Sequence, residues 1–376
     1  MKFIHTADWH LGMTRHFLSE EAQARFSEAR LDAVRAIAAL AEAEECSFVV
    51  ASGDVFNSNQ LDRQTIVRAL DAMSSFTVPL FLLPASHDPL NAASVYRSAV
   101  FLEQRPENVI VLDTFQPVEV PGAGAEVVGA PWESKQPLED LAAKACASLS
   151  STGATLRVLV AHGAVDEGNP NQQNPALIRL GAAREAIASG VVNYIALGDR
   201  HSATKVDESD RIWYSGTPLV TDFREVDPNS VLLIDLGQDS VDVEARQIGS
   251  WSFTQESFAV NNGEEVAEVE SWLQALGDKR NTVLKLSFVG TLSLTESAHL
   301  ESVLEHNQDL FAAIEAWERH TDLAVLPDDS DLSELGLIGF ASDAVDDLRE
   351  QASQNTEAGR TAQDALALLY RLVHSD

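Results

Sequence analysis

Five times along this chain an apolar run stops and residues able to bind metals or move protons follow at once. FIHTA leads into Asp8-Trp9-His10, FVVASG into Asp54, and LFLLPAS into His87-Asp88. LRVLVA ends on His162, and YIALG is followed by Asp199-Arg200-His201. Singly, each has an ordinary reading: a lone histidine is usually a satisfied core or surface residue, and Asp54 after a glycine suits a turn. The shared placement is what carries information, because ligand sites of open α/β sheets form in the crevice beyond the carboxyl ends of the strands. His5, His16, His299, His306, His320 and His374 lack strand-end placement and are expected to be structural or superficial.

The residue types define the chemistry. Carboxylate oxygens and imidazole nitrogens suit Mn²⁺, Fe²⁺ or Zn²⁺, and the absence of cysteine ligands argues against a structural zinc site. Asp and His two apart on an extended chain project to one side. Asp8 with His10, and Asp199 with His201, are therefore expected to act as pairs. A single aspartate between two such pairs could bridge two metals about 3.5–4 Å apart, the spacing of two-metal phosphoester hydrolases. Such a site activates a water, holds phosphate oxygens and neutralises charge on the attacking and leaving oxygens.

The elements that must present these residues are legible as alternating patterns. KFIHTA precedes a helix from about Glu20 to Glu45, in which Phe26, Val34, Ile37 and Ala41 recur at near-helical spacing. SFVVAS, VPLFLLP and VIVLD read as strands, separated by helices near Gln64–Ser74 and Asn91–Gln104. PVEVPGAGAEVVGAP reads as a hairpin turning at Pro121-Gly122. A helix near Leu138–Leu149 leads to TLRVLVAH, and one near Arg179–Ser189 to VNYIALG. RIWYSG, SVLLIDL and SVDVEARQI follow without helices between them, which predicts an antiparallel extension. The whole reads as α/β with layered sheets. Beyond Gly249, TVLKLSFVG, a helix near Thr295–Asn307 and IEAWERHTDLAVL form a β-α-β unit. The tail from Asp343 to His374 reads as one or two amphipathic helices carrying Leu348, Ala365, Leu366, Leu368, Leu369 and Leu372.

The 376 residues suit one large domain and a smaller one, and an apolar content of 45% allows a substantial core. No run approaches the roughly 18 to 20 apolar residues of a membrane helix. The start, MKFIHTADWH, has no signal-peptide apolar region, and Cys46 and Cys146 form no CxxC, so a cytoplasmic protein with reduced thiols is expected. Acidic residues number 58 against 26 basic ones, a net charge of −32. That argues against broad non-specific binding of nucleic acid, which relies on lysine and arginine neutralising phosphates. It leaves room for a local site where metal ions supply the positive charge. Residues 301–376 alone hold 17 acidic and 4 basic side chains, which reads first as a solvated surface.

In order and spacing, ADWHLG, SGDVF, PASHDP, VAHGA and LGDRHS resemble the motifs of the calcineurin-like metallophosphoesterases: DxH, GD, GNHD, a lone His after a strand, and GHxH. DWHLG, the phenylalanine after GDV and the two-domain layout resemble more closely the SbcD-type DNA-repair exonucleases. The resemblance covers residues 1–250 well and the following region in outline. It implies a layered αββα sandwich of two mixed sheets (1–250), a small α+β cap domain (251–330) and a C-terminal helical segment (331–376). It also implies two divalent ions, Mn²⁺ foremost with Fe²⁺ or Zn²⁺ as alternatives. Asp8, His10 and His201 would hold the first ion, Asp54 would bridge, and His162 and Asp199 would hold the second. Ser86 would stand at the family's metal-binding asparagine, His87 would be the catalytic histidine, and Asp88 would orient it. Two departures stand out: Ser86 replaces that asparagine, and Asp199 replaces the first histidine of GHxH. The implied activity is a DNA exo/endonuclease that works by water attack, as a homodimer with an SbcC-type ATPase docked on the C-terminal helices. A small-phosphoester substrate, or a non-catalytic subunit binding DNA ends or the ATPase, are the alternatives.

Overall fold

Side-chain alternation within short buried strands sets the layering in the computed structural model, which describes residues 1–151, 153–325, 340–352, 354 and 356–374. The chain divides into two compact units: Met1–His16 with Gln23–Trp251, and Phe17–Ala22 with Ser252–Asp376.

The first unit contains two six-stranded sheets. In one, β1 (Lys2–Thr6), β2 (Val49–Ala51), β3 (Leu80–Leu82) and β4 (Val109–Val111) run parallel, and β11 (Ser230–Leu236) and β12 (Val241–Gln247) extend it antiparallel from β1. In the other, β6 (Ala125–Gly129), β7 (Leu156–His162), β8 (Tyr194–Gly198) and β10 (Ile212–Tyr214) run parallel, edged by the antiparallel β5 (Val118–Val120) and β9 (Thr204–Lys205). Successive strand residues face opposite ways. Phe3, Val50, Phe81, Val158, Val160, Tyr194 and Ile234 therefore meet between the sheets. Ile4, Val49, Leu80 and Leu82 pack outward beneath α1 (Glu20–Ala43), α2 (Arg63–Met73) and α3 (Ala99–Gln104). Leu159, Ala161, Ile195 and Leu197 pack beneath α4 (Leu141–Ala147) and α5 (Leu180–Ala188) on the other side. The result is a mixed α/β sandwich of the layered αββα kind.

His5 belongs to this scaffold. Its Nε2 donates to the Leu197 carbonyl (3.1 Å) and its Nδ1 lies 3.2 Å from the Tyr194 hydroxyl, tying the two sheets together. Burial holds the ring neutral by lowering its pKa to about 3.

The expected helix at Asn91–Gln104 is broken. A single 3₁₀ turn (Val95–Arg97) gives way to α3 because extended Ser98 caps that helix by accepting from the Phe101 amide. The helix expected at Leu138–Leu149 starts later, at Leu141, where Asp140 accepts from the Ala143 amide.

The second unit is built on the long β14 (Thr282–Leu292). β13 (Ser252–Val260) leads through α6 (Gly263–Ala275) into β14 and pairs with it in parallel; the sequence pattern announced neither β13 nor α6. β13 alternates poorly, with the polar stretch Thr254–Ser257 at its centre. The β-α-β unit is present through α7 (Leu294–Gln308), but its last strand is two, β15 (Ala313–Ala316) and β16 (Asp322–Val325). Both run parallel along successive halves of β14. The boundary expected near residue 330 lies outside the described residues. The tail forms two helices, α8 (Phe340–Ala352) and α9 (Glu357–His374). Val345, Ala352, Ala362 and Leu366 close against Leu294 of α7, with Leu348 and Leu369 beside them. Leu348, Leu366 and Leu369 of the apolar stripe thus pack within their own unit, while Leu368 is 50% exposed and the Leu372 side chain lies outside the described ones.

Candidate metal centre

Strand register brings the motifs to one edge. Thr6, Ala51 and Leu82 are level across β1, β2 and β3, and His162 is level with Gly198 across β7 and β8. Beyond β1 and β2 the chains stay bonded. The amides of Asp8, His10 and Leu11 donate to the carbonyls of Gly53, Asp54 and Val55 at 2.9–3.0 Å. Asp8, His10, Asp54 and Asp199 all adopt left-handed backbone, with φ of 55°, 44°, 50° and 99°. The expectation that Asp8–His10 and Asp199–His201 would be paired by extended-chain alternation is therefore corrected. Tight turns past the strand ends set these residues, in a conformation that most side chains avoid and that concentrates at functional sites. The neighbouring glycines have a steric purpose. A Cβ on Gly53 would sit 2.3 Å from His162 Nδ1, and one on Gly198 would sit 2.1 Å from the Ser52 carbonyl.

Three overlapping groups that could hold a metal ion result, each with its atoms within 4.8 Å of one another: Asp8–His10–His201, His10–Asp54–His87 and Asp8–Asp54–His162. His10 Nε2 faces His201 Nε2 at 3.4 Å, and His162 Nε2 lies 3.3 Å from Asp54 Oδ2. Asp199 stands at the rim, with Oδ1 3.8 Å from His162 Nε2 and its amide donating to Asp8 at 3.1 Å. The Ser86 hydroxyl is turned onto Asp54 Oδ2 at 2.9 Å, and the His87 amide donates to Asp54 Oδ1 at 2.8 Å.

Three of the four rings, those of His162, His201 and His87, are anchored on the far side, whereas buried His10 Nδ1 has no hydrogen-bond partner among the described residues. His162 Nδ1 donates to the Ser52 carbonyl (2.9 Å), and Trp132 packs edge-on against the ring while its Nε1 donates to the His162 carbonyl. His201 Nδ1 meets Thr221 Oγ1 and Glu225 Oε1 at 2.6 and 2.9 Å, and the Thr221 hydroxyl also bonds Glu225. His87 Nδ1 donates to the Asn57 carbonyl (3.0 Å), and the ring is exposed. Asp88, expected to orient His87, makes other bonds. Fully buried, it accepts from the amides of Phe56 and Ala85 (both 2.9 Å) and the Tyr96 hydroxyl (2.7 Å), and so locks two ligand loops together. The orienting bond on His87 comes from a backbone carbonyl, which no sequence pattern marks. Glu225, Thr221 and buried Arg30 were likewise missed. Arg30 donates to the carbonyls of Trp9 (2.8 Å) and Val220 (3.2 Å), bracing two of the site's loops from α1.

The electrostatics are those of a cluster that attracts positive charge. Burial pushes Asp8 up to about 7, with His201 and His162 opposing and Asp54 and Asp199 adding to the rise. For Asp54 burial acts the same way, but His162, His10 and the His87 amide outweigh it and hold the carboxyl far below its usual range. Burial disfavours charge on His162, yet Asp54, Asp8 and Asp199 raise its pKa well above normal. Burial keeps His10 neutral. His162 Nε2 has no well-directed hydrogen bond, and His10 Nε2 and His201 Nε2 face each other across 3.4 Å. Oxygen and imidazole donors so arranged fit divalent cations. The centre opens on a cleft of about 860 Å³ whose lining includes His10, Asn57, His87, Asp199, Arg200 and His201.

The family model described as calcineurin-like phosphoesterase matches residues 1–203, more than half the chain and all five motifs. The chain belongs to the calcineurin-like phosphoesterases. This family binds divalent metals, and the phosphoesterase brings together the donors such ions need. It is 25% identical over 329 residues to the SbcD component of the nuclease SbcCD of Bacillus subtilis (strain 168), covering 79% of this chain and 81% of that one. The crystal structure of TT1561 of Thermus thermophilus superposes with a TM-score of 0.43 at 11% identity, over 65% of this chain and 97% of that one. Among the described residues no helix is long and apolar enough to cross a membrane.

Proposed function

We propose that this metal-dependent phosphoesterase is a nuclease that hydrolyses phosphodiester bonds of DNA with two divalent ions, Mn²⁺ foremost. The observation that carries the reading is the convergence of Asp8, His10, Asp54, His162 and His201 beside an exposed histidine on an open cleft. Asp8, His10 and His201 would hold one ion; Asp54 would bridge; His162, Asp199 and Ser86 would serve the second. The second is the weaker site, because the Ser86 hydroxyl is engaged with Asp54 and the Asp199 side chain is 42% exposed. A carboxylate in place of an imidazole favours harder ions such as Mn²⁺. When bound, the ions supply Lewis acidity and lower the pKa of a water.

The chain's own residues do the rest. The bond from His87 Nδ1 to the Asn57 carbonyl turns Nε2 toward the cleft, where the protonated ring gives its proton to the leaving oxygen. Asp88 keeps the loop beneath it in place. Glu225 orients His201 and keeps its Nε2 free to ligate. The likeness to the Bacillus nuclease component supports DNA as substrate and an SbcC-type ATPase as partner. We further propose a homodimer in the cytoplasm, with a cap at 251–330 and a docking segment at 331–376.

Turnover of single-stranded DNA, bis-p-nitrophenyl phosphate and cyclic nucleotides in Mn²⁺ tests the reading. The nuclease assignment predicts the highest kcat/KM for DNA, by an order of magnitude. Preference for a small ester would overturn the substrate. Metal binding without hydrolysis of any of them would indicate a non-catalytic subunit.

A further inference from the structure

We infer that Arg200 forms a binding site for a second phosphate of the substrate strand, next to the phosphate being cut. The inference rests on the nuclease reading and adds a subsite to it. Three cations line the cleft, and two are committed within the protein. Arg224 Nε donates to Asp222 Oδ1 at 3.0 Å. Arg15, half-buried, donates to the Thr221 carbonyl and faces the carboxylates of Asp222 and Glu225. Arg200 is exposed on the same cleft and makes no hydrogen bond or ion pair among the described residues.

Its root is fixed to the centre. Asp199 on one side reaches His162 and binds Asp8 through its amide, and His201 on the other lies 3.8 Å from Asp8 Oδ1. The guanidinium therefore swings on a long arm from a point held beside the reacting phosphate. Its planar fork of donors matches two phosphate oxygens. On a chain of net charge −32, an uncommitted cation at this one place favours a substrate with a second phosphate close to the scissile one. A substrate with a single phosphate leaves it idle.

Thymidine oligonucleotides separate the cases. TpT has one phosphodiester, and TpTpT has a neighbour to the one cleaved. The ratio of kcat/KM for TpTpT over TpT should favour TpTpT in the parent and fall about tenfold in Arg200→Ala, chiefly through KM, with partial recovery in Arg200→Lys. The slope of log kcat/KM for TpTpT against log salt should shrink by about 0.7, one phosphate contact on a single strand. Mn²⁺ affinity, measured by calorimetry, should stay within a few-fold of the parent. A ratio and salt slope equal to the parent's would overturn the inference and leave the nuclease reading standing. Lost Mn²⁺ affinity would place Arg200 in the metal centre and overturn it as well. Failure of the parent to cleave either oligonucleotide would remove both.

Discussion

His87 and Ser86 sit side by side and do different work. Ser86 restrains Asp54, whereas His87 presents Nε2 to the cleft with Nδ1 tied to a carbonyl. Replacing His87 with Ala should cut phosphodiester hydrolysis by about 10²–10⁴-fold, the usual worth of a general acid. Mn²⁺ content should be retained, since Asp8, His10, His201, Asp54 and His162 remain. Assaying a clean preparation against the parent, with metal analysis of both, decides it; parent-level cleavage would refute the role. At this scale the sequence marked the residues that converge and was silent about their supports. Asp8, His10, Asp54, His87, His162 and His201 are marked by type and strand-end position. The Asn57 carbonyl has no side-chain signature, and Glu225 lies 24 residues from the ring it holds, in a segment with no motif.

The strands do the convergence and the helices brace it. Two parallel runs of strands end level, so loops far apart in sequence leave from one edge. That much follows from reading where apolar runs stop. The turns did not: extended geometry was expected where left-handed residues stand, because φ is settled by how the loops after β1 and β2 bond to each other. Arg30 illustrates a support that only packing reveals. On sequence it is one arginine of α1, yet it is 2% exposed and spans the Trp9 and Val220 carbonyls. Arg30→Met should weaken Mn²⁺ binding by about tenfold, as loss of an outer support to a metal site does. Calorimetric titration should show this even at a temperature where the variant is fully folded. Unchanged affinity with a lowered Tm would restrict Arg30 to the scaffold.

For the whole molecule, the heavy negative charge and the centre are complementary. Asp8, raised by burial to about 7 from 3.8, and His162, raised by its carboxylate neighbours, both hold protons that a cation must displace. For each, the folded pKa lies above the unfolded one, so its contribution to the stability of the metal-free protein is present at low pH and lost as pH rises through the folded value. His5 and His10, kept neutral by burial, run the other way but are common to both forms and cancel in the difference. The gain in Tm on adding Mn²⁺ should therefore widen from about pH 5 to about pH 8, as scanning calorimetry with and without the ion would register. A gain that is constant or narrows with pH would contradict it. The layered fold of the first unit was readable at this scale because its strands are buried and apolar. The second unit was read less well, since β13 carries a polar centre and β15 and β16 divide what looks like a single strand.

The central claim is a pair of divalent ions at these strand ends. Anomalous diffraction from crystals soaked in Mn²⁺ tests it most directly. Two peaks are expected, one among Asp8, His10 and His201 and a weaker one beside His162 and Asp199, with Asp54 between them. A single peak, or none, would contradict it.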